Sequence, residues 1–128
     1  MIDKFFIWMK FGAGAWNGWR RENPDVPVVL DGATLDGMIL TGIDLSRVSL
    51  RGASLHAVNL MNADLRQADL TGANLTEADL ISANLEGATL AGATLREADL
   101  FGANLRGASY SPADLAGALH IPDHVAAE

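Results

Sequence analysis

Residues 70–90, LTGANLTEADLISANLEGATL, return a leucine at every fifth position and place an alanine two residues before nearly every one. In an α-helix a step of five residues advances about 140° around the axis, which scatters the leucines over all sides. In a flat strand an odd step sends successive leucines to opposite faces. Neither regular element turns this period into one buried face, so the pentapeptide is itself the structural unit.

The same register extends in both directions, from Leu30 through every fifth residue to Leu105, then Tyr110 and Leu115, giving 18 consecutive windows over residues 28–117. Two places before the centre the residue is alanine in 13 of the 18 windows, so these two positions form the interior. One place before the centre stands a short polar residue in 16 of the 18 windows, as at Asp44, Asn59, Asp64, Asp69, Asn74, Asp79, Asn84 and Asn104. Such side chains accept hydrogen bonds from backbone N–H groups one or two residues on and so form tight turns. Two places after the centre glycine is common, as in Gly32, Gly52, Gly72 and Gly92, which suits a corner. Each window therefore reads as one short side and one corner, and the chain winds into stacked coils, a solenoid.

The five-residue period alone leaves the number of sides per coil open. Among the residues directly after the 18 centres, only Met61, Ile81 and Phe101 are large and apolar, and they lie 20 residues apart. Three residues placed at random would share one column of a four-sided coil about one time in thirty. Four sides per coil is the reading that explains them.

The stretch ANLTEADLISANLEGATL resembles the A(D/N)Lxx pattern of the pentapeptide repeat family, and the resemblance covers residues 28–117. It implies an all-β solenoid, a right-handed quadrilateral β-helix of about 4.5 coils, or roughly 22 Å of rod at the ~4.8 Å spacing of paired strands. The core ladders are then Leu30, Leu50, Leu70 and Leu90 on one side and Leu35, Leu55, Leu75 and Leu95 on the next. The early windows depart from the pattern, with Val28, Met38, Ile43, Val48 and Val58 in place of alanine, which predicts a less regular first coil.

The open ends of a solenoid need covering. Phe5, Met9, Trp16 and Trp19 fall at helical spacing with Lys4, Lys10, Arg20 and Arg21 among them, and Asn23 before Pro24 is a stop signal. Residues 1–27 are thus expected to form an α-helical cap and linker, in one helix or in two short ones because of Gly12, Gly14 and Gly18. WNGWRRENP is similar to a segment that often precedes repeats of this family. A membrane-surface or partner-binding helix is the alternative reading. Residues 118–128 read as a C-terminal tail in which Pro122 limits regular structure. The resemblance implies that a homodimer, if formed, uses this end; the Met61, Ile81 and Phe101 face is the other candidate.

The rest of the composition excludes more than it assigns. There is no cysteine, hence no disulfide framework and no thiolate chemistry, which suits a cytoplasmic, reducing location. The run Phe5–Met9 ahead of Ala13-Gly14-Ala15 looks like a signal peptide, but Lys10 interrupts it well short of a normal apolar core and of the ~20 residues a membrane span needs. A net charge of −7 argues against direct nucleic-acid binding. His56 is an outward residue, His120, Asp123 and His124 match no standard metal spacing, and the carboxylates serve turns and surface. No catalytic residue, cofactor or metal is expected.

Three functions compete: a non-enzymatic interaction or scaffold module contacting a protein of unstated identity through Met61, Ile81 and Phe101; a DNA-mimicking rod acting on DNA gyrase or another DNA-binding protein, as the resemblance allows; and a stacking unit of a larger assembly. Residues 28–117 carry 11 acids against five arginines, a net of −6. A DNA rod of ~22 Å carries about 13 charges. The first reading is favoured.

Overall fold

The structure, a computed structural model, describes Phe5 and residues 8–126. Lys4, expected in the N-terminal helical segment, lies outside the described residues, as do the outermost residues of the expected 1–27 and 118–128 units.

Parallel bridges join the residue before a centre to the residue 20 further on, without a gap from Val29↔Ser49 through Asp64↔Asn84 to Thr89↔Ser109, and again at Asp99↔Leu119. A constant step of 20 means four pentapeptides per coil. Each coil therefore has four sides, with centres at Leu30, Leu50, Leu70 and Leu90 on side 1, Leu35, Leu55, Leu75 and Leu95 on side 2, Leu40, Leu60, Leu80 and Leu100 on side 3, and Leu45, Leu65, Leu85 and Leu105 on side 4. Each side contributes a single bridge residue rather than a strand, because the corner takes up the rest of the pentapeptide.

Every backbone N–H of a mid-rod pentapeptide is satisfied. Ala63 donates to Leu60 O (3.0 Å) across the corner, Asp64 to Ile43 O (2.9 Å) one coil back, and Leu65 and Gln67 to Asn84 O (2.7 Å) and Glu86 O (2.9 Å) one coil on; the Arg66 N–H goes to Asp64 Oδ1 (3.1 Å). The last of these is the turn expected from the short polar position, and the same bond recurs at Asp44, Asn59, Asp69, Asn74, Asp79, Asn84, Asp99 and Asn104. At Ser49 and Ser54 an acid one coil back takes over: Asp31 accepts from the Arg51 N–H and Ser49 Oγ, and Asp36 from the His56 N–H and Ser54 Oγ.

The corner residue takes a positive φ at every fifth position from Gly32 to Gly107, near +70° at Gly72 and Gly92. Arg47, Ala57, Asn62, Gln67, Glu77, Ser82 and Glu97 adopt the same left-handed conformation at φ 57 to 62°. Left-handed backbone is unfavourable for such residues by roughly 1–2 kcal/mol each. The ladder bonds on both sides of the corner hold them there.

The centres from Leu30 to Leu105 and the alanines before them up to Ala103 are almost entirely buried and form one continuous core cluster. The first coil, expected to be less regular, keeps the same 20-residue pairing; Val28, Ile43, Val48 and Val58 are buried and Met38 packs at the edge of the cluster. Phe5, Met9 and Trp16 belong to that cluster, so the larger interior side chains of this end meet aromatic ones.

Helix α1, Ala13–Glu22, follows helical residues 8–10 and a break at Gly12 (φ 98°), so the N-terminal segment is helical in two pieces. It ends at Asn23, whose side chain donates to Trp19 O (2.9 Å), and Arg20 and Arg21 in the last turn suit the helix dipole. Its side chains bond backbone that a preceding coil would otherwise serve on side 4. Trp16 Nε1 donates to Asp44 O (2.6 Å), Asn17 accepts from the Asp44 N–H (2.7 Å) and donates to Gly42 O (3.0 Å), and Arg20 Nη2 donates to Ser46 O (2.7 Å). Burial lowers the Arg20 pKa from its usual range, against the opposing pull of Asp44.

At the other end Ser109 still pairs with Thr89, then the 3₁₀ helix Pro112–Leu115 displaces the next rung of side 2. Asp114 compensates by accepting from the Ser111 N–H (2.8 Å) and the Gly92 N–H (3.1 Å). The chain then rejoins the ladder at Leu119, and helix α2, Asp123–Ala126, brings His124 Nε2 to the Leu105 N–H (3.0 Å). The segment expected to be an irregular tail thus supplies a further rung and a side-chain acceptor for the last coil.

Candidate interaction surface

Side 3 carries most of the exposed apolar residues of the rod; Val29, also exposed, stands on side 1. Met61, Ile81 and Phe101 stack in one column on its outer surface, Met61 and Ile81 half-buried and Phe101 62% exposed. Below Phe101 the chain leaves the repeat: His120 takes a left-handed φ of 56° with its ring against Phe101, and Ile121, 40% exposed, lines the C-terminal end with Tyr110, Leu115 and Val125. In the neighbouring column Ile39 and Leu119 are exposed at the two ends, with Asn59, Asp79 and Asp99 between. The equivalent outward positions carry Asp31, Arg51 and Thr71 on side 1, and Arg66, Glu86 and Arg106 on side 4.

His120 stands against the lower part of this column. Its ring meets Phe101 edge-on (5.9 Å between centroids, 88°), and its Nδ1 lies 2.9 Å from Asp99 Oδ1. The hydrogen bond to His120, then that from the Phe101 N–H, lower the Asp99 pKa from its ordinary value. A depressed carboxyl pKa contributes stability that is present above the unfolded value, about 4, and is lost as pH falls through the lowered folded value. Acidification through that window is therefore expected to release His120 from Phe101, seen as increased hydrogen exchange at Leu100, which donates to Leu119 O. Asp99→Asn should abolish this pH dependence; an identical profile in that variant would refute the contact.

The other titratable groups do not converge. His56 Nε2 lies 3.5 Å from Glu77 Oε2, a neighbour the simple 20-residue column did not foresee because Glu77 stands one position past the rung. Both side chains are about half exposed. His120 and His124 turn to different partners, and among the described residues no group of three His, Asp or Glu is placed to hold a metal ion. A polar hollow of about 390 Å³ on side 4 is lined by Ser46, Arg47, Arg66, Gln67, Glu86 and Gly87, with Arg66 clamped on Asp64 (2.7 and 2.9 Å). An apolar groove of about 680 Å³ at the C-terminal end lies between Tyr110, Pro112, Leu115, Ile121 and Val125.

Of the residues singled out in the sequence, Phe5, Trp16 and Trp19 meet as an aromatic cluster with centroids 5.5 to 6.0 Å apart, and Met9 is buried beside the same core. Leu119 escaped sequence reading because His120 stands where the next leucine would fall; Ala118, two places before it, was the remaining signal.

Residues 29–67, 59–96 and 68–107 match the family described as pentapeptide repeats, in eight copies. The chain belongs to the pentapeptide repeat family. This pentapeptide repeat protein is similar to a solved member from the thylakoid lumen of Arabidopsis thaliana, at 33% identity and a TM-score of 0.62, covering 68% of this chain and 61% of that one. It is also similar to a pentapeptide repeat protein from Nostoc, at 31% identity and a TM-score of 0.56, covering 80% of this chain and 93% of that one. None of the curated proteins matches significantly. The solved relatives give the coil its class, the right-handed quadrilateral β-helix. Among the described residues no helix is long and apolar enough to cross a membrane.

Proposed function

We propose that this pentapeptide repeat protein is a non-enzymatic interaction module that binds another protein through side 3. Its rod has about four and a half coils, counted from 18 windows at four per coil, and α1 serves as the N-terminal cap. The observation that carries the reading is the column Met61, Ile81 and Phe101, half-buried at the first two and exposed at the third, on a rod whose side 4 presents Arg66, Glu86 and Arg106 at the same level. Aligned aromatic and large aliphatic residues are the usual anchors of a protein interface. A cytoplasmic location fits the cysteine-free composition.

Mimicry of DNA fits less well. Arg51 pairs with Asp69 (3.0 Å) and Arg66 with Asp64 (2.7 Å), which neutralises part of the surface of sides 1 and 4, and the outermost column of side 3 is apolar. A duplex presents unbroken negative charge.

Ile81→Lys is expected to weaken association at least about tenfold, the effect of losing one interface anchor, without changing thermal unfolding, because a half-exposed lysine keeps its ammonium in water. Light scattering over a wide concentration range reads a second copy, and capture on the immobilised protein reads a different partner. Unchanged association in both would sink the assignment of side 3.

A further inference from the structure

The apolar column has a defined pitch. Met61, Ile81 and Phe101 occupy successive coils, so at ~4.8 Å per coil the three span about 10 Å parallel to the rod axis. Residues on one stripe of an α-helix, alternating three and four apart, recur every ~5.3 Å and span about 11 Å over the same two steps. Same-face residues of an extended strand recur every ~6.7 Å and span about 13 Å. A helix laid along the column keeps all three contacts within about 1 Å of register, whereas a strand slips by about 4 Å, most of a rung. A strand also lacks bonds to make here: mid-rod backbone N–H groups, such as those of residues 63–67, are already paired between coils or within turns.

The border of the column is acidic. Residues 57–62, 77–82 and 97–102, which make side 3 and its corners on three successive coils, include Glu77, Asp79, Glu97 and Asp99 and no lysine or arginine. Glu97 makes no ion pair among the described residues. Charges of one sign at the rim of an apolar strip select a partner of the opposite sign.

We propose that the segment recognised by side 3 is a cationic amphipathic α-helix of a protein partner, lying parallel to the rod axis with its apolar stripe on Met61, Ile81 and Phe101 and its basic residues toward Glu77 and Glu97. This inference rests on the protein-binding reading of side 3 and adds to it the secondary structure, direction and charge of the partner.

The test uses three labelled peptides of about 18 residues, long enough to form a helix on contact. One has leucines at three- and four-residue spacing among lysines, one has the same composition with leucine and lysine strictly alternating, and one has the helical spacing with glutamate in place of lysine. Fluorescence anisotropy against the full chain at physiological ionic strength reads affinity, and circular dichroism reads helix formation. The helical leucine–lysine peptide is expected to bind at least tenfold tighter than either control and to gain helicity on binding. Its affinity should fall at least tenfold on Ile81→Lys and severalfold on the double change Glu77→Gln and Glu97→Gln. Equal or tighter binding of the alternating peptide overturns the helix, and equal binding of the glutamate peptide overturns the charge selection. If no peptide binds but Ile81→Lys still weakens association of the chain with itself or a captured protein, the helix is wrong and the interaction surface stands. If Ile81→Lys has no effect on either, the surface itself falls.

Discussion

Replacing Trp16 by alanine is expected to lower the unfolding free energy by about 3–5 kcal/mol, the range for deleting a buried tryptophan. The indole is fully buried, stands between Phe5 and Trp19, and donates its Nε1–H to Asp44 O at 2.6 Å. Its loss removes apolar contact and also leaves the Asp44 carbonyl on the open edge of the first coil without that donor. In a stack of coils each unit is held mainly by its neighbours, so the damage should begin at this end. Amide exchange should rise first at residues 30–45 and last near residues 75–85. Trp16→Phe retains most of the volume and loses the hydrogen bond, so it should cost only about 1 kcal/mol. A loss below 1 kcal/mol for the alanine variant would show that α1 is no cap and that the first coil stands without it.

Leu75→Ala is expected to cost about 2–5 kcal/mol. Leu75 is fully buried in the middle of the side 2 ladder, with Leu55 and Leu95 one coil away on either side. The size of the loss follows from how little the site can relax. The Leu75 N–H is bonded to Thr94 O (2.8 Å) and Leu75 O accepts from the Ala78 N–H (3.0 Å), so the spacing of the coils is held while the side chain is removed. A void there stays open. Leu115→Ala, in the terminal 3₁₀ helix beside an open groove, should cost distinctly less. Equal losses at the two positions, measured by urea unfolding, would contradict the buried ladder.

Much of this architecture was legible in the residues. The leucine period excluded helix and sheet, the alanines before the centres defined the interior, and the 20-residue recurrence of Met61, Ile81 and Phe101 pointed to four sides before any pairing was known. The aspartates and asparagines before the centres announced their turns because that bond is local, two residues along the chain. The bonds of Asp31 to Arg51 and of Asp36 to His56 were not legible, since they cross between coils and depend on serine standing where an aspartate or asparagine would close the turn itself. His124 was hidden for a different reason. Its role is to complete the edge of one backbone group, Leu105 N–H, and it has no repeat partner to give it a pattern. Glycine at the corners was readable, but the same left-handed backbone at Ala57 and Glu77 was not, because there the ladder overrides residue preference.

The functional surface depends on residues 61, 81 and 101 forming one column, and the absence of native cysteine makes that directly measurable. Neighbouring rungs of a four-sided coil lie ~4.8 Å apart, inside the ~4.4–6.8 Å Cα separation that a disulfide spans. Three double variants pair Ile81→Cys with Phe101→Cys, with Arg96→Cys or with Arg106→Cys, the partners that would stack on residue 81 in coils of four, three and five sides. Under mild oxidation of dilute protein, the pair at 81 and 101 is expected to close within the monomer while the other two stay reduced. Closure at 81 and 96 or at 81 and 106 instead would contradict the four-sided coil, and with it the apolar side on which recognition of a partner is founded.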